Sequence, residues 1–341
     1  MKKPQDEIYN KIDDYEQTLH AIVGFMNFYR YDDDARKMKE DVTVFQGRRF
    51  DPSPEKAVTE NGDKVTQVTP DLGVLPASAE GVLGEVKKSF PADETRWMKT
   101  FKQLMSYDDN LDGWPTKDGK LSSHDIVLLL HQTRAAAIKR YYEANSGKDI
   151  KFTRPFTMIQ FNRADERRPY FFFQKTTGNL TDKSVDTKLI DGVSVPMEIF
   201  VTTYSTVKIY DSLPPLAYLI ELIWTNVVLP RASDTSKFPA LRKNQKIEVT
   251  LSVDDIVNEL HNGFSFHGLS KDIADRQPKV PKREWIMSAC EKLVQSDEAS
   301  WVDTEKSQIK VYFRKYDSVM SHFIDICADE QEEDAQITMF D

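Results

Sequence analysis

The sequence predicts an α/β protein: a mixed sheet flanked by helices in the N-terminal part, and a smaller helical domain in the C-terminal part. Three observations predict it. Apolar residues spaced by three and four indicate amphipathic helices, as in residues 5–29. Residues 125–130 are almost continuously apolar, which is typical of a buried parallel strand. A helix at 135–144 and a strand at 156–161 then continue the alternation of an α/β fold.

Length and composition predict a globular protein with two domains. The 341 residues are 40% hydrophobic and 30% charged, and no apolar run approaches the ~20 residues that a membrane helix needs. The N-terminus has no continuous apolar core of the signal-peptide kind, so we expect a cytoplasmic protein without a membrane partner. Cys290 and Cys327 lie in helical apolar patterns and are expected to be buried free thiols.

The formal net charge of -9 argues against a protein that coats nucleic acid electrostatically. It does not exclude local contact with nucleic acid, because clustered carboxylates and an acidic tail contribute to the total while a local basic patch can still contact phosphate.

The first helix carries His20, and a second helix is expected from Asp32 through Glu40, because clustered carboxylates favour a helix N-terminus. Asn61-Gly62 lies between two β-like runs and is a strong hairpin signal. The run 65–68 is therefore expected to form a strand that ends at Pro70 and Asp71.

A second apolar run, residues 81–90, carries Glu85, Val86 and Lys87. Side chains alternate along a strand, so Glu85 and Lys87 point to one face. Asp71 and Glu85 at adjacent strand ends form a hard-oxygen site suited to Mg²⁺ or Mn²⁺, next to the Lys87 cation. Such a site suits phosphodiester hydrolysis, because the metal activates water and takes up phosphoryl charge. An exposed salt-bridged strand pair is the simpler interpretation of Glu-x-Lys alone.

The next helix begins at Asp93-Glu94 and carries Gln103 and Tyr107 on one face. Either they complete a packed surface, or they face the acidic site. The run 108–113 matches half of an EF-hand loop, but Gly119 stands where the closing glutamate is required, so a plain loop is predicted.

Together these pieces resemble the PD-(D/E)xK nuclease superfamily, and within it the RecB-like branch, whose next helix carries a Gln-x-x-x-Tyr motif. The likeness covers residues 40–175, and its matching residues are Pro70, Asp71, Glu85, Lys87, Gln103 and Tyr107. It implies a restriction-endonuclease-like mixed sheet and a DNase that depends on Mg²⁺ or Mn²⁺. Phage defence, restriction and repair are all compatible with it.

The resemblance also implies roles. Asp71, Glu85 and the Val86 backbone carbonyl would hold the metal, and Lys87 would act on the water or on the phosphoryl charge. In catalysis Gln103 would bond near Lys87 and Tyr107 would contact the substrate backbone.

Glu40 and His20 would be additional metal ligands in the resemblance, although a surface Glu40 and a packed His20 are the simpler interpretations. A catalytically silent nuclease-fold protein that binds nucleic acid or protein is the alternative function, and a purely regulatory winged-helix protein is a third. The presence of the full Asp, Glu and Lys set favours the enzyme.

Beyond the core, Arg163, Arg167 and Arg168 border the aromatic run 170–173. They form a candidate phosphate-binding patch, or they flank a core strand without contacting a ligand.

We expect the nuclease-like domain to span residues 1–230, with a linker up to 246. An accessory domain at 247–327 follows, because a helix capped by Ser252, a helix at 282–295 and a hairpin at 301–314 stand in winged-helix order.

Residues 328–341 form an acidic tail with six carboxylates and no basic residue, a composition that is normally disordered. Its tip resembles the bacterial sliding-clamp-binding pentapeptide, which makes Gln336, Met339 and Phe340 the candidate partner-binding residues.

Overall fold

The computed structural model describes ten stretches of the chain: residues 3–32, 37–39, 41–53, 67–77, 80–88, 93–164, 170–196, 207–242, 245–261 and 268–328. As predicted, the fold is α/β, with a seven-stranded mixed sheet flanked by helices and a second, three-stranded sheet. The chain divides into two compact units. Unit 1 contains residues 1–16, 206–262 and 279–341, and unit 2 contains residues 17–205 and 263–278.

The large sheet belongs to unit 2. Its strands, in spatial order, are β3 (Thr43–Phe45), β4 (Leu72–Leu75), β5 (Glu80–Lys87), β6 (Ser123–His131), β7 (Phe156–Ala164), β8 (Tyr170–Gly178) and β9 (Val193–Pro196). β5, β6 and β7 are parallel, and the other neighbours are antiparallel. Helix α1 (Pro4–Arg30) spans both units, because its residues up to Glu16 belong to unit 1. The other helices of unit 2 are α2 (Glu94–Met105), α3 (Gln132–Asn145), α4 (Lys183–Asp191) and the short α8 (Lys271–Ala274).

Local sequence explains the central elements. β6 has seven consecutive buried residues, and the last five, residues 126–130, form the continuous apolar run that an interior strand covered on both faces requires. α2 begins after Asp93, whose side chain accepts a hydrogen bond from the Thr95 N–H at 3.0 Å. Trp97, Phe101 and Leu104 form its buried stripe, so the predicted helix is confirmed.

The predicted helix from Asp32 to Glu40 is wrong. Strand β1 (Tyr31–Asp32) pairs antiparallel with β2 (Lys37–Met38) instead. The segment has too few apolar residues to bury a helix face, and packing of such a face supplies most of the stability of a short helix. Glu40 itself lies outside the described residues.

The predicted strand before Asp71 is also corrected. Val68 makes an isolated bridge with Phe50, and Asp71 precedes β4 rather than ending a strand. Pro70 has no N–H to donate to a ladder, so the strand begins after it. The proposed hairpin at Asn61-Gly62 lies outside the described residues.

Unit 1 holds the small sheet, in the order β10 (Ile247–Ser252), β12 (Gln308–Phe313), β11 (Ala299–Trp301). Its helices are α5 (Leu216–Ile223), continued by a π turn into α6 (Leu229–Ser233), then α7 (Val253–Leu260), α9 (Arg283–Gln295) and α10 (319–328). Ser252 caps α7 by accepting from the Asp255 N–H at 3.0 Å, and Trp301 pairs with Ile309, so the predicted helices and hairpin are confirmed.

The boundaries of unit 1 differ from those that the sequence suggested. The predicted linker after residue 230 contains the end of α6 and the buried Leu241. Ala328 is buried in α10, so the acidic segment starts one residue later, at 329, and residues 329–341 lie outside the described part.

Cys290 and Cys327 are buried free thiols, as predicted. In the described ranges, no helix combines the length and apolarity that crossing a membrane requires.

Gly73 lets β3 pack closely on β4. A Cβ atom at this position would lie 1.9 Å from Cε2 of the fully buried Phe45. We expect Gly73→Ala to lower the free energy of unfolding by about 1–3 kcal/mol, the usual cost of overpacking a core. Urea unfolding measures this cost. Phe45→Leu in the Gly73→Ala background should recover part of the loss, and additive losses in the double variant would contradict the contact.

Candidate functional site

Asp71, Glu85 and Lys87 lie together where β4 begins and β5 ends. The antiparallel register pairs Leu72 with Gly84, which brings Asp71 beside the end of β5. Asp71 Oδ2 accepts a hydrogen bond from the Val86 N–H at 2.8 Å. Lys87 Nζ lies 2.8 Å from Glu85 Oε2 and 3.9 Å from Asp71 Oδ2. One ammonium group therefore contacts both carboxylates.

The site is closed at Glu85 and open at its two neighbours. The side chain of Glu85 is fully buried, whereas those of Asp71 and Lys87 are 25% and 29% exposed. Burial, and next the charge of Asp71, raise the pKa of Glu85 to about 8, although Lys87 and the Tyr107 hydroxyl act in the opposite direction.

Tyr107 reaches Glu85 from the protein interior. Its ring is fully buried in the turn after α2, and its hydroxyl donates a short hydrogen bond to Glu85 Oε1. Gln103 Nε2 donates to the same hydroxyl at 3.2 Å. Burial and the neighbouring Glu85 carboxylate raise the pKa of Tyr107 well above its usual range.

The predicted contact between Tyr107 and a substrate backbone is therefore wrong for this conformation, since the phenol has no exposed surface. Gln103 is exposed and contacts Tyr107 rather than Lys87. The four-residue spacing did predict that the two side chains meet, but it did not reveal that Tyr107 faces inward.

These residues offer oxygen ligands to a small cation. Asp71 and Glu85 supply carboxylates, and the Val86 carbonyl is directed toward the same edge as its N–H, because both groups of a strand residue point to one neighbour. Within the ranges that the structure describes, no group of three or more His, Cys, Asp or Glu side chains is gathered. Two carboxylates suffice for Mg²⁺, which retains waters and shares substrate phosphates. The donor set therefore fits Mg²⁺ or Mn²⁺.

Comparison with known proteins adds no family to this geometry. The chain matches no protein-family model, no curated protein and no solved structure. The site is therefore interpreted from its own contacts.

His20 is not a ligand of this site. Its ring packs edge-on against Phe171 of β8, with ring centroids 6.0 Å apart. β8 is the third strand from β5, and three strand spacings amount to about 14 Å. Burial, and next the charge of Arg163, lower the pKa of His20 to about 4. The simpler interpretation, a histidine packed against the core, is confirmed.

Other candidate residues are not gathered at the site. Arg163 is half-buried on β7, two strands from β5. Five further candidates lie outside the described residues: Arg167, Arg168, Gln336, Met339 and Phe340.

The residues that hold the backbone next to Asp71 were not predicted from the sequence. The buried Arg48 side chain donates to the carbonyls of Gly113, at 2.6 Å, and of Ile273. Gln277 Nε2 donates to the Gln46 carbonyl, and the Gly47 N–H donates to the Pro70 carbonyl at 3.1 Å. The segment 268–278 is thus linked through residues 46–48 to the turn that carries Asp71. No local pattern signals these contacts, because their partners are up to 231 residues apart.

The raised pKa of Glu85 predicts a pH-dependent stability. The folded state holds this proton more tightly than the unfolded chain, so stability should fall as the pH rises from the ordinary carboxyl pKa toward 8. Glu85→Gln, which has no proton to lose, should flatten this fall by roughly 1–3 kcal/mol between pH 5.5 and 8. Urea unfolding in EDTA at both pH values measures it.

Glu305→Gln is the control, because it makes the same change at an exposed residue in the turn between β11 and β12. It should leave the pH dependence of the wild type in place. Equal slopes for wild type and Glu85→Gln would contradict the assignment of this titration to Glu85.

Proposed function

We propose that this protein is a metal-dependent nuclease that hydrolyses DNA phosphodiester bonds. The observation that carries the proposal is the meeting of Asp71, Glu85 and Lys87 at the junction of β4 and β5, where the Lys87 ammonium lies 2.8 Å from Glu85 and 3.9 Å from Asp71. The mixed sheet flanked by helices supports it, as does the contact of Tyr107 with Glu85, because the resemblance to RecB-like PD-(D/E)xK nucleases implies both. Gln103 reaches the cluster only through its hydrogen bond to Tyr107.

Each residue has a role that follows from its position. Asp71, Glu85 and the Val86 carbonyl would hold Mg²⁺ or Mn²⁺, which when bound activates water and neutralises phosphoryl charge. Lys87 is partly exposed beside these ligands. Its ammonium would orient the water or stabilise the negative charge that develops on the phosphoryl oxygens.

The charge distribution supports DNA binding by unit 2. Unit 1, with its acidic tail, has 26 acidic and 17 basic residues and so carries all of the net charge of -9. Unit 2 has 29 of each and is neutral. Phosphate is therefore repelled less by the unit that contains Asp71 and Glu85.

Unit 1 is the proposed accessory domain of the winged-helix kind, and its surface favours protein docking over DNA. Basic side chains on and beside α9 are paired with acids: Arg283 lies 3.1 Å from Asp254, and Lys306 lies 2.8 Å from Glu291. Neutralised in this way, they offer little to a DNA backbone. Phage defence, restriction or repair in the cytoplasm, with recruitment through the acidic tail, belongs to the same proposal.

A catalytically silent binding protein is the second candidate. It is favoured by the ion pair between Lys87 and the buried Glu85, which competes with a metal in this conformation. Metal-dependent cleavage separates the two functions.

Asp71→Ala and Glu85→Ala should each abolish cleavage, by a factor of at least about 100, because each removes a metal ligand. Lys87→Ala should lower the rate as severely but leave Mn²⁺ binding in place. Cleavage is measured on linear, circular and single-stranded DNA with Mg²⁺, Mn²⁺ or EDTA. Metal binding is measured by calorimetry.

Asp118→Asn is the control, because this carboxylate is exposed in a loop and bonds only its own turn among the described residues. It should cleave like wild type. Full activity of Asp71→Ala or Glu85→Ala would remove the metal site, and cleavage by no preparation would favour the silent binding protein.

Removal of residues 329–341 should leave the cleavage rate unchanged, since an acidic segment repels phosphate and supplies no ligand to Asp71. The cut is made after Ala328 because that residue is buried in α10. The truncated chain should lose binding to a sliding clamp, for which Met339 and Phe340 would be the apolar anchors. Biosensor binding to purified clamp measures this, with Phe340→Ala as the point variant. Equal binding by full-length and truncated protein would contradict the recruitment role.

A further inference from the structure

We propose that Tyr107 is a positioning residue that makes Glu85 a one-oxygen metal ligand and thereby favours Mg²⁺ and Mn²⁺ over Ca²⁺. The inference rests on the proposed function, because it concerns the same metal site. It is carried by the division of the two Glu85 oxygens between different partners: Oε1 accepts from the Tyr107 hydroxyl, and Oε2 accepts from Lys87 Nζ at 2.8 Å.

Tyr107 is held too firmly to move aside for a cation. Its ring is fully buried, and its hydroxyl also lies 3.2 Å from Gln103 Nε2 and 3.3 Å from the Thr69 carbonyl. Its backbone is fixed as well, since its N–H donates to the Leu104 carbonyl and its own carbonyl lies 2.8 Å from His124 Nε2. The hydrogen bond to Oε1 is therefore part of the packed core.

Lys87 is more exposed than Tyr107. Its side chain is 29% exposed and unbranched, so its ammonium can leave Glu85 for the open side of the site. When a cation displaces it, Oε2 becomes the free oxygen, while Oε1 stays with Tyr107. The carboxylate then binds the cation through one oxygen.

One-oxygen binding discriminates between cations. Ca²⁺ takes six to eight oxygens at about 2.3–2.6 Å and often binds carboxylates through both oxygens, whereas Mg²⁺ takes six at about 2.0–2.1 Å and keeps several waters. A two-oxygen mode at Glu85 would require Oε1 to give up the Tyr107 hydrogen bond. Ca²⁺ consequently loses a ligand that Mg²⁺ does not use.

Calorimetric titration of the full chain with MgCl₂, MnCl₂ and CaCl₂, without DNA, tests this directly. Tyr107→Phe keeps the ring and removes the hydroxyl. We expect its Mg²⁺ affinity to fall about 10- to 100-fold, as for other partners that orient metal ligands, while its Ca²⁺ affinity is unchanged or rises. The Mg²⁺/Ca²⁺ affinity ratio should thus fall at least about tenfold.

Tyr141→Phe is the matched control. Its ring packs on Trp97 and Phe101 of the same helix that leads to Tyr107, and no described contact joins its hydroxyl to Glu85. It should keep the wild-type ratio. Gln103→Ala frees the Tyr107 hydroxyl of one partner and should shift the ratio in the same direction by a smaller factor, so it tests the inference even if Tyr107→Phe does not fold.

The outcomes distinguish a failure of the Tyr107 selectivity role from a failure of the proposed nuclease function. Wild type that binds Mg²⁺ and cleaves DNA, with equal losses of Mg²⁺ and Ca²⁺ affinity in Tyr107→Phe, would overturn the selectivity role and leave the nuclease in place. An unchanged ratio in a folded Tyr107→Phe would do the same. Wild type that binds none of the three cations would overturn both proposals.

Discussion

The buried carboxylate of Glu85 is the constraint on which the site depends. A carboxylate without exposed surface is costly as an anion, and the nearby Asp71 charge adds to the cost. Lys87 and the Tyr107 hydroxyl offset only part of it, so the pKa of Glu85 is raised to about 8. The site is therefore short of positive charge in the conformation described. In the proposed function a divalent cation would supply that charge, and this is the physical reason for proposing a metal site rather than a surface ion pair.

The strand geometry fixes the positions of the two carboxylates. Asp71 stands at the start of one strand and Glu85 near the end of its antiparallel neighbour, so the two residues lie at the same end of this strand pair. Support for the Asp71 turn comes from behind, where Arg48 and Gln277 connect the segment 268–278 to residues 46–48. In sequence, this segment lies between two parts of unit 1.

Sequence patterns predicted the parts of this arrangement that are encoded locally. Alternation placed Glu85 and Lys87 on one face, and the apolar run of β6 identified a buried parallel strand. The Asp32 to Glu40 helix failed because an acidic cluster marks a helix start only where an apolar face follows. The inward orientation of Tyr107 and the role of Arg48 were not predictable. The first depends on how a turn packs, and the second depends on a partner 225 residues away in sequence.

If DNA is the substrate, as proposed, the separation of charge between the units limits how it would be held. A neutral unit 2 attracts a phosphate backbone only through local groups such as Lys87, and unit 1 repels it. Few phosphates are then neutralised, and since each one contributes to the salt dependence of affinity, binding to DNA should weaken only modestly with added salt. A protein of this kind does not reach its substrate through electrostatic attraction alone. In the proposed function, residence at DNA would come from contact of a bound metal with phosphate or from a partner that is already bound there, and the acidic, ion-paired surface of unit 1 would suit such a partner better than the nucleic acid.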